Sequence, residues 1–197
     1  MINKGGNYSP NLSRQKMSAE VVIHAFGDID EALLQSVKQA IEQRLHLRVV
    51  TGESMEVPAG SYSSQRRQCI STTFLNELSR LPSSEAIRLG IANVDFFVPE
   101  LCFVFGEASR ERRLAVVSIA RLDPRFYGEP ADFGKLTQRT ATEVLHELGH
   151  VFGLDHCERV DCVMWFSNNL AQTDRKGLEF CERCAERIIV NKEQGSN

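Results

Sequence analysis

One string of eleven residues, H-E-L-G-H-V-F-G-L-D-H from His146 to His156, constrains this chain more than any other feature. Its first two histidines are four positions apart, so a helix through them places both rings on one face, where each can aim a nitrogen at a single cation. Catalytic zinc sites take three protein ligands and leave one position for water, so the third ligand must lie beyond that turn of helix. Gly153 permits the exit, because a residue without Cβ adopts the left-handed conformation that ends helices and lets the chain swing His156 back toward the metal. Glu147 is rotated about 100° from His146 and is better directed at the water than at the metal. Zinc lowers the pKa of its water to about 7, and a carboxylate beside it can take the proton and pass it to a leaving amine.

A bare H-E-x-x-H also arises on ordinary polar helix faces. The glycine and the third histidine in register favour the metal site, and the extended string followed by a methionine turn is the metzincin signature. Met164 is the candidate for that turn, packed beneath the three histidines without binding the metal. Cys157 and Cys162 follow the third histidine, and Cys181 and Cys184 come later as C-E-R-C. Four cysteines in two short clusters match a closed, tetrahedral, structural zinc site. Two disulfides are the alternative and would need an oxidising compartment. The polar stretch 1–15 has no apolar core of signal-peptide length, and no apolar run approaches the roughly 20 residues of a membrane span, so reduced thiols and a cytoplasmic location are expected. Cys69 and Cys102, each alone among apolar neighbours, are read as small core residues.

With these motifs in place, the chain resembles the archaemetzincins. The resemblance rests on the three-histidine string, on Cys157, on Cys162 and Met164 within C-V-M-W-F-S-N, on T-D-R-K-G-L-E-F and on the closing Cys181 and Cys184. It extends upstream through L-C-F-V-F-G-E-A and R-L-D-P-R-F-Y-G and covers most of the chain after about Val21. It implies a compact metzincin-type zinc metallopeptidase with a second, structural zinc held by the cysteines. It further implies that Trp165, Phe166, Ser167 and Asn168 wall the pocket for the substrate side chain after the scissile bond.

The 197 residues, 42% of them hydrophobic, suffice for one substantial core, and a formal net charge of −3 gives no case for nucleic-acid binding. Upstream of the motif, strand and helix alternate. A buried strand is expected from Val21, and a helix after Asp28 and Asp30 carries Leu33, Leu34, Val37, Ala40, Ile41 and Leu45 near 3.6 spacing. A strand over 47–50 follows, then a helix over 65–81 stopped by Pro82, strands near 87–97, 101–105 and 115–122, and the active-site helix from about Thr137. The fold class expected is α/β (α+β): one compact metzincin-like domain over 19–197, a twisted mixed sheet, an active-site helix, a zinc-bound C-terminal cysteine segment and a flexible arm over 1–18. Two readings stand for 115–122, an ordinary core strand or the sheet edge on which a peptide adds as a further strand, with Ser118 at its centre.

The expectation is therefore a metallopeptidase with two zinc ions per chain. His146, His150 and His156 hold the catalytic ion, Glu147 is the base, Cys157, Cys162, Cys181 and Cys184 hold the structural ion, and Met164 forms the turn. Ser118, Trp165 and Phe166 would meet a peptide or small-protein substrate, with no nucleic acid or membrane partner. A zinc-bound peptide-binding protein, or a zinc amidohydrolase acting on other amides, would use the same ligands. Because neighbouring side chains of an extended chain point to opposite sides, His156 and Cys157 are expected to face the two different metals.

Overall fold

The computed structural model describes residues 20–82 and 84–194, with side chains to 189; the expected arm over 1–18 lies outside the described residues. A five-stranded sheet forms the frame, in the order β2 (Arg48–Thr51), β1 (Glu20–Phe26), β5 (Ile87–Ala92), β8 (Leu114–Ser118), β7 (Gly106–Ser109). The first four strands run parallel and β7 closes one edge antiparallel to β8. The central strands β5 and β8 are buried along their whole length, as expected of parallel strands covered on both faces.

Helices α1 (Glu31–Leu45) and α3 (Phe133–Val151) cover one face, and α2 (Ser71–Arg80) packs against β7 and β8 on the other. The larger core joins Leu33, Val37 and Ile41 of α1 to Ile23, Leu89 and Val117 of the sheet and to Val144 and Leu148 of α3. It continues without a break into Cys157, Cys162, Met164 and Cys184. The smaller core, beneath α2, is aromatic: Phe74 lies 4.9 Å from Phe26 and 4.7 Å from Phe96 between ring centroids. A second, three-stranded sheet of β3 (Tyr62–Ser63), β4 (Gln68–Ile70) and β6 (Phe96–Phe97) anchors the loop that leads to β7. There Arg66 and Gln68 donate to the carbonyls of Leu101 and Cys102.

Several sequence expectations need correction. The helix expected over 65–81 starts only at Ser71, because 63–67 form a turn with Arg67 in the left-handed region and β4 follows it. Residues 101–105 make a single bridge, Val104 to Phe96, and not a strand. The reading of 115–122 as a sheet edge fails: β8 lies between β5 and β7, and Ser118 donates its backbone N–H to the carbonyl of Phe105 and its hydroxyl to that of Val94. The edge belongs to β7, whose short and polar sequence carries too weak a strand signal to stand out. Of the two cysteines expected alone in the core, Cys69 is buried and Cys102 is exposed.

Candidate metal centre

Helix α3 begins at Asp132, whose carboxylate accepts the N–H of Lys135, and reaches the cleft with its last turns. It ends as the glycine predicts. Gly153 has φ +81, its N–H bonds to the carbonyl of His150 and that of Leu154 to the carbonyl of Gly149. The guanidinium of Arg110 lies directly over Gly153, where an added Cβ would come within 2.6 Å of its central carbon. The same turn returns the Leu154 carbonyl to His150, which donates Nδ1–H to it at 2.8 Å. His146 likewise donates Nδ1–H to the carbonyl of Val163 at 2.8 Å. A carbonyl only accepts, so both protons sit on Nδ1 and both Nε2 atoms are bare.

Those two Nε2 atoms face each other at 3.2 Å. Two lone pairs held so close repel unless a cation lies between them, and a tetrahedral ion with nitrogen bonds of 2.0–2.1 Å would set its ligands about 3.3 Å apart. His156 completes the group: its ring lies 5.3 Å from that of His146 and 4.9 Å from that of His150. The ligand atoms of all three lie within 4.8 Å of one another. Burial lowers the pKa of each histidine and favours the neutral ring that a ligand must be; Lys176 adds to the effect at all three, and neighbouring histidines add to it at His146 and His156. Exposure rises from buried His146 through His150 to open His156, so the triad has one solvent side.

Glu147 is buried and lines the same cavity as the three histidines. Its carboxyl group packs against the backbone at Gly106, the first residue of β7, where a Cβ would lie 2.6 Å from Glu147 Cγ. Burial, with Glu143 and Glu107 adding and Lys176 opposing, pushes the Glu147 carboxyl up to about 8. A divalent cation in the histidine triad acts in the opposite direction. Met164 is fully buried beneath the triad, in a turn closed by the Trp165 N–H on the Cys162 carbonyl, and its sulfur occupies the space that a side chain at Gly149 would need.

The four cysteines form a second group on the far side of the same segment. Their sulfur atoms lie within 4.8 Å of one another, and Cys157 Sγ is 3.8 Å from Cys181 Sγ, far beyond a disulfide bond and close to the ~3.8 Å edge of a tetrahedron with zinc–sulfur bonds of 2.3 Å. Cys181 ends the loop before the last helix (Glu182–Gln194), Cys184 lies in its first turn, and the backbone N–H of Cys181 donates to Cys162 Sγ. Burial opposes ionisation of Cys157, but the Arg159 backbone N–H, the Arg183 guanidinium and the neighbouring thiols outweigh it and bring the group down to about 7. Burial, the neighbouring thiols and their charge drive Cys184 the other way, and burial also raises Cys162. The cluster thus yields the Cys157 thiolate readily and resists ionisation at Cys162 and Cys184, as a cage does that ionises fully only around a cation.

A cavity of about 430 Å³ opens beside the histidines. The loop 101–105 and Phe166 supply its apolar walls, with His156 4.7 Å from Phe166 between ring centroids. Phe166, Ser167 and Asn168 line it. Trp165 and Ser118 do not, Trp165 turning its carbonyl toward Lys176 and Ser118 lying in the sheet. Two lining residues escape a reading of the motif: Glu143, one turn before Glu147 on the same stripe of α3, and Lys176, whose Nζ lies 3.1 Å from Glu143 Oε1 with both side chains buried. The i−4 spacing of Glu143 was the available signal for the first, whereas nothing local marks Lys176.

The sequence profile of peptidase family M54 matches residues 19–190. The archaemetzincin of Thermococcus kodakarensis is 39% identical over 180 residues, 88% of this chain and 97% of that protein. That of Pyrococcus horikoshii is 41% identical over 149 residues, 75% of this chain and 79% of its own. Among solved structures, the archaemetzincin of Methanopyrus kandleri superposes with a TM-score of 0.80 at 31% identity, covering 93% of this chain and 99% of the other. A zinc-dependent peptidase of Methanocorpusculum labreanum gives 0.78 at 26% identity, with 85% and 99% covered. Among the described residues no helix is long and apolar enough to cross a membrane. The chain therefore belongs to peptidase family M54, the archaemetzincins, and is a zinc-dependent metallopeptidase.

Proposed function

We propose that the histidine triad holds the catalytic zinc, that Glu147 is the general base of peptide hydrolysis, and that the four cysteines hold a second, structural zinc. The observation that carries this reading is the pair of bare Nε2 atoms at 3.2 Å, each ring fixed by a backbone carbonyl at its other nitrogen. When bound, zinc supplies Lewis acidity that polarises the scissile carbonyl and acidifies the attacking water. Glu147 takes the proton of that water and delivers it to the leaving amine, from a position fixed by the glycine at 106. His146, His150 and His156 stay neutral and oriented throughout. The free edge of β7 offers its backbone to an extended peptide, with Gly106 at the cavity and Glu107 anchored by Ser71 and Thr72. Phe166, Ser167 and Asn168 then receive one side chain of the peptide. Six cysteines with no disulfide among them suit a reducing compartment such as the cytoplasm.

Zinc per chain, measured by elemental analysis under reducing conditions on the parent and on His150→Ala, tests the assignment. Two ions falling to one is the expected result. Two ions in both proteins would take His150 out of the ligand set.

A further inference from the structure

The cavity changes character with depth. Its rim is apolar and open, with Leu101 47% and Phe166 43% exposed, whereas Glu143 and Lys176 at its floor are 3% and 2% exposed. Their bonding capacity there is unequally used. Glu143 Oε1 already receives the Thr173 hydroxyl at 2.9 Å and Lys176 Nζ at 3.1 Å. An ammonium group has three N–H donors. Those of Lys176 meet Glu143, the Trp165 carbonyl at 3.4 Å and His146 Nδ1 at 3.4 Å. The last of these donates its own hydrogen to Val163 and so cannot accept another. Among the described residues two acceptors, Glu143 and the Trp165 carbonyl, therefore meet the three N–H donors of Lys176, and one donor is left over. A second donor in the same wall is also unused, since Ser167 Oγ is buried without a hydrogen-bond partner.

We infer that this floor is a binding site for a substrate side chain ending in a hydrogen-bond acceptor, a carboxylate or carboxamide, with Lys176 and Ser167 as its donors. The inference rests on the placement of the catalytic zinc proposed above. An aliphatic side chain would strip water from both donors and return nothing, a cost that hydrogen-bonding sites turn into selectivity. A cationic side chain would meet the Lys176 ammonium, and the charge of Glu143 is already balanced by that ammonium at 3.1 Å. The apolar rim suits the methylene stem of such a residue.

Peptide hydroxamates test this without turnover, because the hydroxamate binds the metal and presents one side chain to the cavity. Calorimetry on the zinc-loaded protein would compare probes carrying a Glu, Gln, Leu or Lys side chain. Glu and Gln should bind roughly ten- to a hundredfold more tightly than Leu and Lys. Glu ahead of Gln identifies a carboxylate as the preferred head and Gln ahead of Glu a carboxamide; either order supports the site. In Ser167→Ala the preference should shrink several-fold, and in the neutral pair Lys176→Met with Glu143→Gln it should vanish. Ser167→Ala, at a half-buried position, remains informative where the double variant does not fold. Leu binding as tightly as Glu and Gln in the parent, or a preference unchanged in the variants, would overturn the inference. Failure of every hydroxamate to bind a protein holding two zinc ions would overturn the placement of the catalytic zinc, and this inference with it.

Discussion

The two ligand clusters meet at consecutive residues, His156 and Cys157, yet their surroundings are opposite. The histidine triad draws two ligands from one rigid helix, fixes each by a backbone carbonyl and leaves one side open to a cavity. The cysteine cluster draws its ligands from a loop and a helix start far apart in sequence, and its sulfurs belong to or pack against the main core. An open site on a rigid element suits chemistry, and a closed one that joins distant segments suits folding. The same segment serves both because an extended backbone alternates its side chains: Cys157 bonds its N–H to the Met164 carbonyl while its sulfur faces Cys181.

The sharpest way to break this contrast is to remove the cluster assigned to folding. Binding of a structural zinc is worth on the order of 10 kcal/mol, comparable with the whole stability of a domain. Cys181→Ser with Cys184→Ser should therefore abolish the cooperative thermal transition seen by circular dichroism, while His150→Ala melts close to the parent. A double variant that melts like the parent would deny the cysteines that role.

Next in size is Glu147→Ala. It should keep both zinc ions and lose about 10²- to 10⁴-fold in peptide cleavage, the usual contribution of a general base. Cleavage at the parental rate with full zinc content would exclude Glu147. A smaller effect is expected beneath the triad, where Gly149→Ala drives a methyl group into the Met164 sulfur. Overpacking of this kind costs about 1–3 kcal/mol, read as a lower urea midpoint. An unchanged midpoint would mean that the methionine turn yields freely.

The smallest change sharpens the link between the clusters. Cys157→Ser, although it leaves every histidine in place, should weaken zinc binding at the triad about tenfold in chelator competition, as loss of a supporting contact does. Equal affinity in variant and parent would show that the cysteine side does not brace His156.

Much of the site was legible because its chemistry is local. The spacing of His146 and His150 on one helical face, the positive φ of Gly153 and the alternation at His156 and Cys157 follow from backbone geometry within a dozen residues. Helix α1 was equally legible, since its apolar positions repeat at the helical period and Asp30 caps it. The edge strand was not. Residues 106–109 are half-buried and short, and whether a strand lies at the edge or the centre depends on which partners reach it. Ser118 shows the consequence: its strand is readable, its neighbours are not.

The sequence by itself determined which residue types the two clusters offer, their order, the helix that carries two of the histidines and the glycine that turns the third toward them. Tertiary structure decided which strand borders the cleft, that Phe166 lines it and Trp165 does not, and that Lys176 meets Glu143 across 33 residues of chain at the cavity floor. The division has a physical cause. Helical periodicity and glycine conformation are set by the few bonds around a residue, whereas sheet order and buried ion pairs are set by contacts between segments whose separation along the chain carries no signal.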